Sequence, residues 1–235
     1  MYANALTDVG LVRKENEDNY LVSPERGLFV VADGMGGHVG GQVASTLAIQ
    51  VLDKEIQQVF YKNPDEALHN ALIKANNTIF HHGQEQQFYG MGTTLTAAMF
   101  HGQRLYLSHI GDSRAYLYRD GRITQLTQDH SLVNELIQNG GITHAEALIH
   151  PQRNILTRAL GTHSAPIIDI FSLPVRAGDY LLLSTDGLHN HVQSEDLEII
   201  LSQHTPLKEK VQHMVNMALA RGGTDNVTVV LVQYE

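Results

Sequence analysis

The chain contains no cysteine among its 235 residues. Disulfide bonds, thiolate metal ligands and a cysteine nucleophile are therefore all excluded. Long apolar runs are also missing, since no stretch reaches the roughly 18 consecutive apolar residues that suggest a membrane-spanning helix. The first residues carry no apolar core of the kind found in secretory signals. These absences lead us to expect a cytoplasmic protein with no membrane attachment.

Basic residues are scarce relative to acidic ones. The chain has 16 Lys and Arg against 25 Asp and Glu, a formal net charge of -9. This balance argues against a nucleic-acid partner, which would favour a basic face. Because acidic surfaces usually serve solubility, the positions of the acids matter more than their number. No repeat or linker divides the sequence, which predicts one domain spanning residues 1–235.

Short β-branched and aromatic runs predict an extensive β-structure. The pair Asp120-Gly121 stands between two such runs and predicts a tight hairpin, because both central residues of that turn need positive φ. The predicted strands are Leu28–Ala32, Thr93–Phe100, Arg104–Ile110, Ala115–Arg119, Ile167–Leu173, Tyr180–Ser184 and Asn226–Val232.

Helical periodicity is also clear, and the first helix has an apolar stripe running from Ala44 to Val59. In the last helix, we predict Thr205 as the N-cap and Pro206 as the first helical residue. The segment 131–165 is polar and poor in strand signal, so we expect an insertion or flap. With few βαβ alternations, the order of elements predicts antiparallel sheets covered by helices. The predicted helices lie near residues 41–60, 65–80, 194–203 and 206–220.

Two apolar runs end in the same way. One leads into Asp33-Gly34 and the other into Asp186-Gly187, so that each delivers a carboxylate followed by a glycine that lets the chain turn. Taken singly, such a pair is an ordinary turn signal. Five further acids stand beside strand-like runs: Asp112, Asp225, Glu15, Glu17 and Asp18.

Convergence of these strand ends would change the interpretation. Converging carboxylates repel one another and each bears a desolvation cost of several kcal/mol, so they need a cation. With oxygen donors only, that cation is Mg²⁺ or Mn²⁺ rather than zinc. Spacing along the chain does not establish convergence, and at this point simple turns and a metal centre both remain open.

The glycine-rich stretch 34–41 precedes a helix but lacks the spacing of nucleotide-binding loops. It is typical of a loop in which the main chain approaches a ligand or metal closely. His38 lies inside it, five residues after Asp33, and is either a surface histidine or a functional one. Arg13 stands in an acidic neighbourhood, where it is either a solvated ion pair or a guanidinium fork that holds a phosphate.

Eight motifs, in order along the chain, resemble those of the metal-dependent type 2C serine/threonine protein phosphatases (the PPM family) in their compact bacterial form. The resemblance covers essentially the whole sequence, and eight motifs in the family's order are far more specific than one. The motifs are Gly10–Asp18, Val31–His38, Gly92–Thr94, Gly111–Arg114, Asp129–Ser131, Leu156–Gly161, Ser184–Leu188 and Gly223–Thr228.

The resemblance implies an α+β fold in which a central antiparallel β-sandwich is flanked on both sides by paired helices (αββα), with a flap at 131–165. It also implies two Mg²⁺ or Mn²⁺ ions at one end of the sandwich. Asp33 would bridge the two ions and the carbonyl of Gly34 would bind the second. Asp186 and Asp225 would complete the ligands of the first ion.

The resemblance assigns roles to five further residues. Glu17 and Asp18 fall on or near the second ion, and Asp112 matches the acid of a third, weaker ion. Arg13 falls on the phosphate-binding arginine and His38 on the proposed general acid. With Asp33, these two residues form the implied catalytic set.

The implied reaction is hydrolysis of phosphoserine and phosphothreonine esters by metal-activated water, without a covalent phosphoenzyme. The expected partners are phosphorylated proteins, themselves substrates of a serine/threonine kinase, and we expect a monomer. Two alternatives are a catalytically inactive relative that binds phosphoproteins and a different two-metal hydrolase such as a nuclease. The first would have lost metal acids, which are all present here. The second would show a basic groove or the Gly-Asp-x-His and Gly-Asn-His-Glu motifs of another phosphatase class, and neither motif occurs.

Overall fold

The computed structural model describes residues 1–36, 39–57 and 61–235. Within these ranges, no helix is long and apolar enough to cross a membrane. The strands are β1 Tyr2–Asp8, β2 Asp18–Ser23, β3 Leu28–Met35, β4 Gly92–Thr93, β5 Leu95–His101, β6 Arg104–Ile110, β7 Arg114–Arg119, β8 Arg122–Gln125, β9 Asp169–Pro174, β10 Tyr180–Ser184 and β11 Val227–Gln233. The helices are α1 Gly40–Glu55, α2 Pro64–His82, α3 Leu132–Gln138, α4 His144–Leu148, α5 Asp186–His189, α6 Ser194–Ser202 and α7 Leu207–Ala220.

The strands form two antiparallel sheets. One has the order β1-β11-β10-β7-β8, and the other has the order β2-β3-β5-β6-β9 with β4 paired to β3. Half of the strands that follow one another in sequence also pair directly, as hairpin-connected antiparallel strands do. The two sheets enclose a shared apolar layer, which confirms the predicted β-sandwich.

Alternation along β3 shows how the layers are built. Phe29 and Val31 face the other sheet and pack with Leu181, Leu183 and neighbouring side chains in the layer between the sheets. The intervening residues of β3 point to the opposite face because successive side chains in a strand alternate. That opposite face packs against α1 and α2, through Leu28, Val30 and Ala32.

Helices cover the outer face of each sheet. The apolar stripe of α1 and α2 buries Ala48, Leu52, Leu72 and Ile79 against the β2-containing sheet. On the other side, α5, α6 and α7 pack on the β1-containing sheet. The arrangement confirms the predicted αββα layering, with amphipathic helices burying one stripe each.

Several predicted boundaries differ from the structure. The first helix ends at Glu55 rather than near 60, and Ile56 caps it with a non-helical ψ of 72°. Val59, assigned to its stripe, lies outside the described residues. The last helix begins one residue later than predicted, because Pro206 has an extended ψ of 150° and is itself the N-cap. The prediction of Thr205 as N-cap is therefore wrong.

The strand predictions were incomplete at the edges of the sheets. β1 was not predicted, since Tyr2–Asp8 mixes polar and apolar residues without a regular alternation. The Asp120-Gly121 hairpin is confirmed, with φ values of 53° and 81°. It connects β7 to the short edge strand β8.

The segment 131–165 contains α3, α4 and no named strand. Isolated bridges join Ser131 to Leu156 and Thr93 to Leu160. The two short helices α3 and α4 lie between Ser131 and Leu156 in sequence, so the first bridge closes the segment that contains them. This geometry is compatible with the flap prediction, which stays a prediction.

Candidate metal centre and active site

Strand pairing brings the first two acids side by side. β2 and β3 are antiparallel, and Asp18 stands directly opposite Asp33. In the other sheet, β10 ends just before Thr185 and Asp186, and β11 begins two residues after Asp225. Both sheets therefore deliver carboxylates at the same end of the sandwich.

Asp18 joins the two sheets at this end. Its side chain is 8% exposed. Its Oδ2 accepts hydrogen bonds from Thr185 Oγ1 at 2.8 Å and Thr228 Oγ1 at 2.7 Å. Burial raises the pKa of Asp18 to about 7, against the lowering effect of the two hydroxyls. Two threonines from one sheet thus fix an acid from the other.

Asp33 occupies the middle of the acidic group. Its backbone N–H donates to Thr94 Oγ1 at 2.9 Å, and its carbonyl accepts from Thr94 N at 2.8 Å. Burial of the carboxylate raises its pKa well above the ordinary value. The negative charges of Asp18, Asp186, Asp112 and Asp225, in that order, raise it further. Asp33 therefore lies close enough to these four acids to feel their charges.

Asp186 is the first residue of the short helix α5. Its Oδ2 accepts from Asn190 Nδ2 at 3.1 Å. Burial and then the neighbouring Asp225 raise the pKa of Asp186 to about 6. A carboxylate at a helix start is favoured by the free N–H groups there, yet burial and the charge of Asp225 outweigh that effect.

Glycines allow the Asp33-Gly34 turn and the start of α1 to approach Glu17 closely. A Cβ on Gly34 would lie 2.0 Å from the carbonyl oxygen of Gly41 and 2.8 Å from that of Glu17. A Cβ on Gly41 would lie 2.4 Å from Glu17 Oε1. Only glycine fits such close approaches. Burial raises the pKa of Glu17 as well, despite the nearby charge of Arg13.

Asp112 lies in the turn between β6 and β7. Burial, followed by the charges of Asp186 and Asp129, raises its pKa well above the ordinary value. The positive charge of Arg114 lowers the pKa of Asp112, but it does not offset these raising effects. Its guanidinium is engaged by Asp129, with Nε to Oδ1 at 2.9 Å and Nη2 to Oδ2 at 2.7 Å.

Asn226 holds the N-terminal acidic loop against the start of β11. Its Nδ2 donates to the carbonyls of Val9 at 2.9 Å and Glu15 at 3.0 Å. Its Oδ1 accepts from Glu17 N at 2.8 Å. The side chain is 4% exposed, so these contacts are made away from water. One amide thus positions the loop that carries Arg13 and Glu17.

Arg13 and the acids open onto a cavity of about 750 Å³. Its Nη2 donates to Asp225 Oδ2 at 2.7 Å. Arg13, Asp112, Asp186 and Asp225 line this cavity together with residues of α3 and α4. A phosphorylated side chain entering here would meet a guanidinium and the acidic centre together.

The acidic centre has the chemistry of a site for a hard cation. Three buried carboxylate oxygens of this centre have no hydrogen-bond partner among the described residues: Glu17 Oε1, Asp18 Oδ1 and Asp186 Oδ1. Unpaired buried carboxylates are costly without a cation, and an all-oxygen donor set fits Mg²⁺ or Mn²⁺. In the described part of the chain, no three acidic or histidine side chains form a ready-made ligand set. The fit therefore rests on donor chemistry and the unpartnered oxygens.

The structure gathers Asp18, Asp33, Asp112, Asp186 and Asp225 at one end of the sandwich. His38, the predicted general acid, lies outside the described residues. The sequence interpretation missed the residues that hold the acids in place. These residues are Thr94, Thr185, Asn226 and Thr228. Each lies within or beside one of the motifs that carry the acids and glycines, so its position in the sequence could have indicated a supporting role.

Comparisons with known proteins agree with this geometry. The family model described as "Protein phosphatase 2C" matches residues 13–231. The protein phosphatase PhpP of Streptococcus pneumoniae serotype 2 is 40% identical, over 99% of this chain and 97% of its own length. The crystal structure of the Mycobacterium tuberculosis serine/threonine phosphatase PstP/Ppp superposes with a TM-score of 0.94 at 41% identity. That match covers 100% of this chain and 98% of the other.

A further solved structure is the catalytic domain of the phosphatase PstP in complex with two manganese ions. It has a TM-score of 0.90 and 39% identity over 99% of this chain and 97% of its own. The fold and the acidic centre define a metal-dependent hydrolase. The chain belongs to the protein phosphatase 2C family and is a phosphoprotein phosphatase.

Proposed function

We propose that the protein removes phosphate from phosphoserine and phosphothreonine in other proteins, with two Mg²⁺ or Mn²⁺ ions in its acidic centre. One observation carries this proposal. Asp186, whose Oδ1 has no hydrogen-bond partner among the described residues, lines one cavity with Arg13, Asp112 and Asp225, so that cations and a phosphate group would be bound together there. The proposal is supported by the PstP structure that contains two manganese ions.

Asp33, Asp186 and Asp225 would hold the first ion, and Asp33 with the carbonyl of Gly34 would hold the second. Glu17 and Asp18 would contribute to the second ion, either directly or through water. A third, weaker ion would lie at Asp112 and share Asp186. These assignments follow the positions implied by the family resemblance, and the unpartnered oxygens of Glu17, Asp18 and Asp186 support them.

Bound ions of this kind supply Lewis-acid charge stabilisation and an activated water for direct attack on phosphorus, without a phosphoenzyme. Arg13 binds the phosphate oxygens with a planar fork of N–H donors. Fixed positive charge at the equatorial oxygens stabilises the transition state, which is the usual main contribution in phosphoryl transfer. Asn226 orients the loop of Arg13, so that the fork faces the cavity before the substrate arrives.

His38 is the proposed proton donor to the departing serine or threonine oxygen, on the resemblance alone. Such a donor contributes about 10²–10⁴-fold to a rate. The segment 131–165 is the proposed flap, because residues of α3 and α4 line the same cavity as Arg13. Phosphorylated targets of a serine/threonine kinase are the proposed substrates, and a monomer in the cytoplasm is the proposed state.

Phosphate release from paired peptides tests this proposal. Phosphothreonine, phosphoserine and phosphotyrosine versions of one peptide are incubated with the protein and Mn²⁺, Mg²⁺ or EDTA. We expect turnover of the first two peptides with either ion and none in EDTA. Binding of phosphopeptide without turnover, under saturating Mn²⁺, would instead identify an inactive phosphoprotein-binding protein. Cleavage of an oligonucleotide rather than the peptides would identify a nuclease.

A further inference from the structure

His130 lies between the turn that carries Asp112 and the segment 131–165. Its side chain is 5% exposed. Its Nδ1 accepts a hydrogen bond from Gly111 N at 3.1 Å, and its own backbone N–H donates to the carbonyl of Gly111 at 2.8 Å. His130 thus binds both the backbone N–H and the backbone carbonyl of Gly111, the residue before Asp112.

The hydrogen bonds at the two ring nitrogens of His130 fix its protonation pattern. The N–H of Gly111 can only donate, so Nδ1 carries no proton and the ring proton of the neutral side chain is on Nε2. Nε2 lies 3.1 Å from Asp169 Oδ2 on β9 and donates to it. The second oxygen of Asp169 accepts from Arg158 Nη1 at 3.2 Å. The imidazole therefore links the Asp112 turn to Arg158, at the far end of the 131–165 segment.

The two ends of this segment are also joined by the backbone. Thr157 N donates to the carbonyl of His130 at 2.9 Å, and Leu132 N donates to that of Ile155 at 2.9 Å. These bonds close the base of the segment but do not involve side chains. The orientation of Arg158 depends on its bond to Asp169 and on the imidazole itself, because Arg158 Nη1 also lies 3.3 Å from His130 Nε2.

Gly111 itself has little freedom of position. Its φ is +111°, and a Cβ there would lie 2.5 Å from Thr94 Cβ. Thr94 in turn binds the backbone of Asp33 and contacts Ser113 Oγ at 2.8 Å. The hydrogen bond from Gly111 to the imidazole therefore completes a closed set of contacts around the turn that aims Asp112 at the acidic centre.

We propose that His130 is a positioning residue with two separable functions. Through Nδ1 it orients the Asp112 turn, and through Nε2 and Asp169 it fastens the far end of the 131–165 segment. It touches neither substrate nor the acidic centre. The first function bears on metal binding only if Asp112 is a metal ligand, and to that extent the inference rests on the proposed function.

Two substitutions separate these functions. In His130→Asn, the amide oxygen falls near the position of Nδ1 and can accept from Gly111, but the side chain is too short to reach Asp169. In His130→Gln, the amide nitrogen falls near the position of Nε2 and can donate to Asp169, but no acceptor remains for Gly111. The two variants are matched, because both replace an imidazole with a carboxamide.

Two measurements on metal-free protein report the two functions. The first is the hydrogen-exchange rate of the Gly111 amide, followed by NMR. The second is the rate of trypsin cleavage after Arg153, an exposed residue within the 131–165 segment. We expect His130→Gln to accelerate Gly111 exchange about 10-fold with near-normal cleavage, since one hydrogen bond of about 1.4 kcal/mol corresponds to that factor. We expect His130→Asn to show near-normal exchange and cleavage faster by about the same factor.

A third measurement connects the turn to the reaction. Loss of a contact behind a metal ligand typically costs about 10–100-fold in metal affinity or activity. We therefore expect His130→Gln to raise the Mn²⁺ concentration for half-maximal peptide hydrolysis about 10-fold, and His130→Asn to restore it toward the native value. A merely structural role for His130 would lower stability in both variants without this division.

The outcomes discriminate between the claims. Equal effects of both substitutions in the exchange and cleavage assays, or no effect of either, would overturn the inference. Failure of the native protein to hydrolyse peptide in Mn²⁺ would overturn the proposed function but leave the two metal-free assays decisive. If His130→Asn does not fold, Asp169→Asn replaces it in the cleavage assay. That variant keeps Gly111 bound to His130 and weakens the bonds that Asp169 accepts from His130 Nε2 and Arg158 Nη1.

Discussion

Arg13 and Asp225 are 212 positions apart in sequence, and Arg13 Nη2 lies 2.7 Å from Asp225 Oδ2. The side chains are 50% and 26% exposed, so the pair is partly open to the cavity. Under the proposed function, one partner binds phosphate and the other binds metal. Binding of a cation by Asp225 would release the guanidinium, which would then be free for the phosphate group.

Replacement of Arg13 should weaken phosphate binding more than turnover. We expect Arg13→Ala to raise the KM for a phosphothreonine peptide about 10-fold or more, because a hydrogen bond to a charged group contributes about 1.5–3 kcal/mol. Arg13→Lys should recover part of this loss, since it restores the charge but not the planar fork. Steady-state kinetics of both variants in saturating Mn²⁺ provide the measurement.

Lys14→Ala is the matched control, because Lys14 is the exposed neighbouring cation. It should leave KM and kcat near their native values. A fall in kcat for Arg13→Ala with KM unchanged would contradict a role in binding the substrate phosphate.

Replacing Asp18 with asparagine should stabilise the metal-free protein and weaken its binding of metal. Burial raises its pKa to about 7, so its charged form is unfavourable in the metal-free fold. In Asp18→Asn, the amide oxygen can still accept from Thr185 and Thr228 while the buried charge is removed. We expect the Tm of the metal-free protein at pH 8 to rise by a few degrees, roughly the effect of 1 kcal/mol in a domain of this size. The Tm increase caused by added Mn²⁺ should shrink.

Thermal unfolding in EDTA and in Mn²⁺ measures both effects. Asp53→Asn is a suitable control, since Asp53 is an exposed acid whose partner Arg26 lies away from the centre. A lower metal-free Tm for Asp18→Asn, together with a native response to Mn²⁺, is the result that this argument does not allow.

Metal affinity should increase with pH across the neutral range. The pKa values of Asp18 and Asp186 are raised to about 7 and about 6 in the metal-free fold. A cation must displace these protons below those values, and it meets ionised carboxylates above them. We expect Mn²⁺ to bind more weakly at pH 5.5 than at pH 8, with proton release at the lower pH. Isothermal titration calorimetry in two buffers of different ionisation enthalpy detects this release, and a pH-independent affinity would refute the argument.

Asp18 and Asp186 also make the free energy of unfolding of the metal-free protein depend on pH. Their folded pKa values exceed the unfolded value of about 3.9, so the folded state binds more protons between pH 4 and 7. Without metal, their contribution to the free energy of unfolding is therefore largest at low pH and decreases as pH rises through the folded pKa values. Bound metal should reverse that trend.

Much of the architecture was predictable from local patterns. The apolar runs that form β6 and β10 were predicted with their observed bounds, and the Asp120-Gly121 turn followed from backbone sterics. The edge strand β1 was not predictable in this way. Its residues gain their strand conformation from pairing with β11, more than 200 positions away, and not from a local pattern.

The site was predictable in its acids but not in their supports. Asp33 and Asp186 can be predicted as site residues because each carboxylate follows an apolar strand. Thr228 and Asn226 look like ordinary polar residues beside a strand, because their importance depends on partners in the opposite sheet or the N-terminal loop. Convergence of distant segments is a property of the tertiary fold, and only the family resemblance indicated it in advance.

Lys210 should be important for stability although it lies far from the acidic centre. It is 1% exposed, and its Nζ donates to the carbonyls of Ile200 at 3.0 Å and Leu201 at 2.8 Å, and also to that of Gln203. These carbonyls belong to the end of α6, where backbone acceptors lack helical partners. Lys210→Met would retain the apolar stem but leave them unpaired, at a cost of about 1–3 kcal/mol. Urea unfolding should show this loss, while the exposed control Lys208→Met should not.

Asn226 offers the most direct test of how the active-site loop is held in place. Asn226→Asp is nearly isosteric, but it removes both N–H donors to Val9 and Glu15 and places a second negative charge beside Asp225. Because the loop carries Arg13 and Glu17, we expect kcat/KM for a phosphothreonine peptide to fall about 10–100-fold, the usual cost of losing a contact behind a metal site. The control Asn216→Asp makes the same chemical change on the exposed face of α7 and should leave kcat/KM unchanged. A native kcat/KM for Asn226→Asp would mean that the loop is held by its backbone alone, namely by contacts such as Leu11 N to the carbonyl of Gly223 at 2.8 Å.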